Sequence, residues 1–523
     1  MPDEQPPQQA AKRIQSPAEL RLRGQPLDLE LLDLLLGGPL KLTIEGPLWE
    51  QIERSASAVA RIAAGSKPAY GINTGFGSLC RKRIAEKDVQ ALQQNLILSH
   101  AVGVGPPAPP EVVRWMMLFK VHALTHGVSG VSRATLALLQ KMLNADLLPV
   151  VPTQGSLGAS GDLAPLAHMV LPMLGFGQVH RGGHVVASAD ALAGIGAAPI
   201  TLGPKEGLAL INGTQFMAAY AAIVAIRATR LAKCADIIAS MSLEGLAGSA
   251  KPFDERLNRL RPHPGAIESA GNVRRLLEGS GILPSHADCD RVQDPYSVRC
   301  IPQVHGAARD ALRHARGVIE TEINSVTDNP LIFEGDEVIS GGLFHGEPLA
   351  LVLDYLAIAL SELASISERR IYLLLSGIAD LPVLLMRDTG INSGLMIPQY
   401  TAAALVSENK GLCTPASVDS IPTSLGQEDH VSMGARAACK AMQVLDNAET
   451  VLSIEQMCAA QALDFRAPLH PGRGPRAAHA LIRGHITHAD SDRLYGDDIQ
   501  TSLSLLRSGR LLAVVEAELG RLQ

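Results

Sequence analysis

Residues 303–328 read QVHGAARDALRHARGVIETEINSVTD. Ala308, Leu312, Ala315, Ile319, Ile323 and Val326 recur at steps of three and four, the spacing of one face of an α-helix. The same period runs through 205–246, 346–377, 400–411 and 433–462. Several of these stretches exceed the roughly 8–20 residues usual for a globular helix. Long Ala- and Leu-rich helices with more than one apolar face belong in the middle of a large bundle, often an oligomeric one. The fold class expected is therefore mainly α, with a long-helix bundle domain over 204–523.

Upstream the pattern is irregular. Residues 1–25 are polar and rich in Pro and Gln, which predicts a flexible tail ahead of an N-terminal domain over 26–203. Two short helices around a small turn are expected in 29–64, and a Gly-rich loop in 69–82. Residues 86–102 return to helical period, with Val89, Leu92, Leu96 and Leu98 as core candidates; Gly103 and the prolines of 106–110 stop that helix. Helices are expected at 111–126 and 131–146, a turn-rich segment at 150–168 and a small β-ribbon in 177–203. No internal repeat is visible.

Composition excludes several function classes. The chain has 523 residues, 46% hydrophobic and 19% charged, enough apolar content to exclude disorder for its bulk. A net charge of -6 and 3% aromatic residues argue against a nucleic-acid partner. The seven cysteines, Cys80, Cys234, Cys289, Cys300, Cys413, Cys439 and Cys458, are scattered without a C-x-x-C pair. That predicts neither a disulfide framework nor a thiolate metal cage, and it suits a reducing, cytoplasmic setting. No metal site is expected. The N-terminal segment lacks the apolar core of a secretory signal. No stretch reaches about 18 charge-free apolar residues, so no membrane span is expected.

Residues 152–169, PTQGSLGASGDLAPLAHM, carry the chemistry. By themselves Gly155, Gly158 and Gly161 give a sharply turning backbone, with Asp162 placed to cap a helix and Pro165 tolerated in its early part. The whole segment closely resembles the signature of the histidine and aromatic amino-acid ammonia-lyase family. Five further motifs match in order: YGINTGFG at 70–77, NGTQ at 212–215, QDPYSVRC at 293–300, SGGLFHGEP at 340–348 and QEDHVSM at 427–433. The resemblance covers about residues 65–465 and implies a fumarase/aspartase-like fold whose N-terminal domain carries the reactive loop.

In that family an Ala-Ser-Gly tripeptide, here Ala159, Ser160 and Gly161, cyclises by itself into 4-methylideneimidazol-5-one (MIO), so no external cofactor is implied. The residue types suit this: the Gly161 nitrogen attacks the Ala159 carbonyl without a Cβ in the way, and Ser160 loses its side-chain water. The resemblance further implies Tyr70 as the base for the β-proton, with Tyr296 in support. Arg299 would pair with the substrate carboxylate, for which a guanidinium fork is suited. Asn212 and Gln293 would hydrogen-bond MIO and substrate, and Phe344 would wall the pocket. Alone, each of these residues would more often be a structural ion pair, a satisfied buried amide or core.

Ser99-His100, Met396 and Gln427-Glu428-Asp429 resemble the histidine branch of the family. Imidazole offers a donor and an acceptor nitrogen. Glu428 and His100 can satisfy both, whereas a phenyl ring would leave them unpaired. The expectation is non-oxidative deamination of L-histidine to trans-urocanate and ammonia; the alternative is a tyrosine or phenylalanine ammonia-lyase or 2,3-aminomutase. A homotetramer with sites shared between chains is also implied. Departures from the family pattern are Leu343 where asparagine is usual and Gly426 where asparagine is frequent. His305 and Tyr400 sit beside motif positions where branches vary.

Overall fold

In the computed structural model, which describes residues 17–35, 37–77, 81–287 and 291–523, the helix expected within 303–328 spans Ile301–Ile323. Ala308, Leu312, Ala315, Ile319 and Ile323 are all buried. Val326 lies beyond its end. Cys80, Cys289 and residues 1–16 lie outside the described residues.

The chain is mainly helical and divides into two compact units. One comprises 1–155, 162–216 and 324–344; the other comprises 156–161, 217–323 and 345–523. This differs from a single cut between 203 and 204. Residues 324–344 return to the N-terminal unit, and the tripeptide 159–161 groups with the long helices instead of with the N-terminal domain.

In the first unit, Ala18–Leu22 and Leu40–Ile44 form a parallel two-stranded sheet, with Ala18 opposite Leu40 and Leu22 opposite Ile44. Residues 18–22 of the expected tail therefore form a strand. Leu20 and Leu22 alternate with polar neighbours and are buried at 5% and 1% exposure, which orders the strand. The same alternation makes Leu40–Ile44 a strand between the helices Leu29–Leu35 and Gly46–Ala64, where a small turn was expected. The Asn144 side chain pairs with the Leu42 backbone, accepting from its N–H at 2.6 Å and donating to its carbonyl at 2.9 Å. The helices Val89–His100, Pro110–Leu124 and Arg133–Asn144 follow as expected. On the first of these Val89 and Leu96 are buried as expected, Leu92 is half-buried, Leu98 is exposed, and Ile97 is buried in its place. Gln178–Arg181 and His184–Ala187 form the antiparallel ribbon.

In the second unit, Glu347–Leu375 packs on Gly434–Asp464 and on Ile301–Ile323. Glu347–Leu375 is long and apolar enough, by length and composition, to cross a membrane. Two of its charged residues are instead matched inside the protein. Asp354 meets Lys440 at 3.0 Å and Arg370 meets Glu455 at 2.5 Å. Ser242 donates to the same Glu455 at 2.6 Å, joining the helix Gln215–Gly245 to the set. Asp236 accepts from His305, Arg309, Ser269 and Asn272 at 2.6–2.9 Å. Burial alone would raise its carboxyl, but Arg309 and His305 with Asn272 hold it well below the usual range.

Ile301–Ile323 crosses Pro264–Leu276 with the backbones in close approach. A Cβ on Gly306 would sit 2.4 Å from the Ala266 nitrogen, and one on Gly265 would sit 2.2 Å from the Gly306 carbonyl oxygen. Both obstacles are backbone, so the helices must part to admit a methyl group. Gly306→Ala is expected to destabilise the protein by about 1–3 kcal/mol or more through overpacking. Thermal unfolding of the purified variant reads this; an unchanged midpoint would refute the close crossing.

Candidate active site

Gly158, Ser160 and Gly161 all have positive φ, 86°, 54° and 80°. The Gly161 N–H donates to the Gly158 carbonyl at 3.2 Å, so the chain folds back on itself across Ala159 and Ser160. The turn is pinned within its unit: the Met433 N–H donates to the Leu157 carbonyl at 3.0 Å. A Cβ on Gly158 would lie 2.3 Å from the Ser432 hydroxyl. The tripeptide therefore sits against the end of the motif that carries Glu428.

Glu428 is partly buried at the end of a short irregular loop. Its carboxylate accepts from the Thr423 hydroxyl at 3.1 Å, and its backbone pairs with that of Thr423. Met396 opens the helix Met396–Leu412 and is partly buried. Tyr296 and Arg299 lie on the single turn Tyr296–Arg299, with the guanidinium 4.5 Å from the Tyr296 ring centroid. Tyr296 is 71% exposed. Among the described residues no carboxylate pairs with Arg299, and its Nε is buried without an acceptor. Gln293 is exposed just ahead of this turn, whereas its neighbour Asp294 is buried and accepts from the Ser249 N–H and from Arg291. Among the described residues no hydrogen bond or ring contact links Tyr296 or Arg299 to Glu428 or Met396.

The other candidates lie in the first unit. Tyr70 leads a loop that bonds to itself. Asn73 accepts from the Ala69 N–H at 2.8 Å and donates to the Lys67 carbonyl at 3.0 Å. The Gly77 N–H donates to the Tyr70 hydroxyl at 3.2 Å, a fixed donor for the oxygen of a candidate base. Tyr70 also lines a cleft of about 550 Å³ with Lys67, Pro68, Val338 and Ser340. His100 ends the helix Val89–His100 with Nδ1 2.8 Å from the Leu96 carbonyl. An Nδ1–H donated there leaves Nε2 as the acceptor nitrogen. Asn212 is buried at the end of the helix Glu206–Ile211, and Phe344 is partly buried at the unit's last residue.

Three positions to which the sequence reading gave no part in the site organise these elements. Lys120 is buried and donates to the Asn212 carbonyl at 2.8 Å and the Ala209 carbonyl at 3.2 Å. Burial pushes its ammonium down to about 7, against the pull of Asp328 and Asp162. Asp162 starts the helix Leu163–Val170, but its side chain does not cap it. The carboxylate accepts instead from the Phe216 N–H at 2.9 Å, while the Asp162 N–H donates to the Gly213 carbonyl at 2.7 Å. The residue after the tripeptide is thus bonded to the NGTQ segment. Ser432, at 0% exposure, meets the tripeptide turn. The last two lie in or beside the quoted motifs, but nothing marks Lys120 in the sequence.

With this geometry in place, known proteins can be set beside it. A histidine ammonia-lyase of Gloeobacter violaceus is 52% identical over 508 residues, 96% of this chain and 98% of that protein. The crystal structure of histidine ammonia-lyase from Trypanosoma cruzi has a TM-score of 0.88 at 39% identity and covers 96% of each chain. Tyrosine aminomutase from Streptomyces globisporus has a TM-score of 0.91 at 34% identity, covering 97% of this chain and 100% of that one. The model of the aromatic amino acid lyase family matches residues 27–484. The chain belongs to the aromatic amino acid lyase family.

Proposed function

We propose that the chain is a histidine ammonia-lyase: L-histidine loses a β-proton and its α-ammonium group to give trans-urocanate and ammonia. The observation that carries this is the 52% identity, over 96% of the chain, to a protein of that name. His100, Met396 and Glu428, the positions matching the histidine branch, support the same choice.

The turn at Gly158–Gly161 fits MIO formed from Ala159, Ser160 and Gly161. MIO supplies an electrophilic methylidene carbon, which no ordinary side chain offers. Arg299, free of a carboxylate partner among the described residues, takes the substrate carboxylate through its guanidinium fork. Tyr70 takes the β-proton, and Tyr296, beside Arg299, supports the bound substrate. Glu428 and His100 hold the two imidazole nitrogens, Asn212 and Gln293 donate and accept around the reacting centre, and Phe344 and Met396 close the apolar walls. None of the five described thiols, Cys234, Cys300, Cys413, Cys439 and Cys458, is joined in a disulfide, which accords with a cytoplasmic enzyme. The backbone likeness to a tyrosine aminomutase keeps a second reading in view, an MIO lyase or 2,3-aminomutase acting on tyrosine or phenylalanine.

We further propose a homotetramer. On Glu347–Leu375 the residues Leu351, Tyr355, Ile358 and Tyr372 stand 42–56% exposed, an apolar face suited to another copy. In that assembly Tyr70, Arg299 and Glu428 come from different protomers. Light scattering should give four chains per particle; an active monomer would overturn this.

Ser160→Ala has no hydroxyl to eliminate. The parent should be lighter than its sequence mass by two waters, and the variant should lack that deficit and lose activity by orders of magnitude while keeping its fold. Intact-mass spectrometry beside a urocanate absorbance assay reads both. Near-full activity in the variant would rule out the electrophile assignment.

Glu428→Gln should lower kcat/KM on L-histidine about tenfold to a hundredfold, the loss of a charge-assisted hydrogen bond worth about 1.5–3 kcal/mol. Trace turnover of phenylalanine should not fall. Unchanged histidine turnover, or a parent that prefers tyrosine or phenylalanine, would shift the assignment to the second reading and leave the MIO lyase intact.

A further inference from the structure

His345, Glu347 and His430 fall inside two of the quoted motifs but take no part in the chemistry above. His345 and Glu347 flank Gly346 where the helix Glu347–Leu375 begins, and His430 lies four residues before Gly434–Asp464. One ligand-type atom from each of the three lies within 4.8 Å of the others. The two imidazoles are stacked, with centroids 5.8 Å apart and planes 7° from parallel. The Glu347 Oε2 atom is buried and has no hydrogen-bond partner among the described residues. A carboxylate oxygen left that way is costly, and a cation beside it removes the cost.

We propose that His345, Glu347 and His430 bind one divalent transition-metal ion of the zinc type. Two imidazoles and one carboxylate make a three-ligand set suited to zinc, with a fourth position for water. Tetrahedral zinc with bonds of about 2.0–2.1 Å needs its ligand atoms about 3.3 Å apart, so the side chains must close by up to about 1.5 Å. The exposed His430 ring is free to make that move. His345 must release one nitrogen. Its present contacts are long, 3.3 Å to the His430 carbonyl and 3.4 Å to the Glu347 N–H, and weak. A second group of this kind, Asp464 with His479 and His488, is already neutralised by Arg483 at 2.8 Å. A bound ion would tie the segment carrying Glu428 to the start of Glu347–Leu375.

The test uses the full chain, stripped with a chelator and titrated with Zn²⁺ by calorimetry, and with Co²⁺ followed by its visible absorption. One ion per chain is expected, with affinity falling at least about tenfold in His430→Ala and in Glu347→Gln. Circular dichroism monitors the fold. His430→Ala decides the matter if Glu347→Gln does not fold, since the His430 side chain is exposed. The proposal is overturned if the parent binds no Zn²⁺, or if His430→Ala binds it as the parent does. Both readouts are independent of turnover, so a failed histidine assignment would leave this result standing.

Discussion

Three backbone segments close on one hydroxyl. Ser432 is fully buried, and a Cβ at Gly158, Gly346 or Gly434 would come within 2.3, 3.2 or 3.3 Å of its Oγ. The Gly434 N–H donates to it at 3.2 Å. A Cβ cannot fit beside the hydroxyl at Gly158, and at Gly346 and Gly434 it would press on both the hydroxyl and the Met217 thioether, so the tripeptide turn and the starts of Glu347–Leu375 and Gly434–Asp464 lie at near-contact distance. Met217 fills the remaining space, its thioether lying beside Gly346 and Gly434. Everything near the proposed electrophile in this unit is referred to that point. Glu428 lies four residues before Ser432, and the His345–Glu347–His430 cluster borders it on both chain segments.

Charge pairing separates structure from chemistry in the same unit. The bundle buries many charges, and nearly all are matched: Asp236 by Arg309 and His305, Glu455 by Arg370, Asp354 by Lys440. Such pairs hold helices in register at little net gain, because desolvation offsets most of the attraction. Arg299 departs from that habit. A guanidinium beside an aromatic ring, with a buried Nε and no carboxylate partner, is a poor structural element and a good receptor for a carboxylate brought from outside. The Glu347 oxygen poses the same question with the opposite sign.

The long helices were legible because a 3.6-residue period sustained over twenty or more residues admits little else. The strands Ala18–Leu22 and Leu40–Ile44 were not. Each is five residues, and each residue pairs with a partner 22 positions away. The tripeptide and its companion motifs were legible through resemblance, position by position. Lys120 was not, since a lysine in an apolar helix carries no mark until Asn212 and Ala209 fold onto it. Asp162 was visible but misassigned: local rules favour a cap, and a distant backbone N–H at Phe216 won its carboxylate. His345 and His430 are 85 residues apart in the chain, and no spacing rule brings them together.

The departures from the family pattern sort themselves by the same reasoning. His305 donates to Asp236 at the centre of a buried network, so its identity answers to packing. Gly426 has φ +84°, after Leu425 and Ser424 at +56° and +52°. Asparagine is the other residue that visits this left-handed region readily, so Gly and Asn meet one backbone demand here. That demand brings Thr423 and Glu428 together, with the Thr423 N–H donating to the Glu428 carbonyl at 2.9 Å. Exchange at 426 thus leaves the carboxylate where it is. Leu343 and Tyr400 differ from these two. Leu343 precedes Phe344 and is 55% exposed; Tyr400 is 58% exposed and stands one helical turn after Met396 on the same face. Neither is held by an internal partner of the kind that fixes His305. Leu343 and Tyr400 are therefore the two departures that internal packing does not account for, whereas the turn sets the contacts of Glu428.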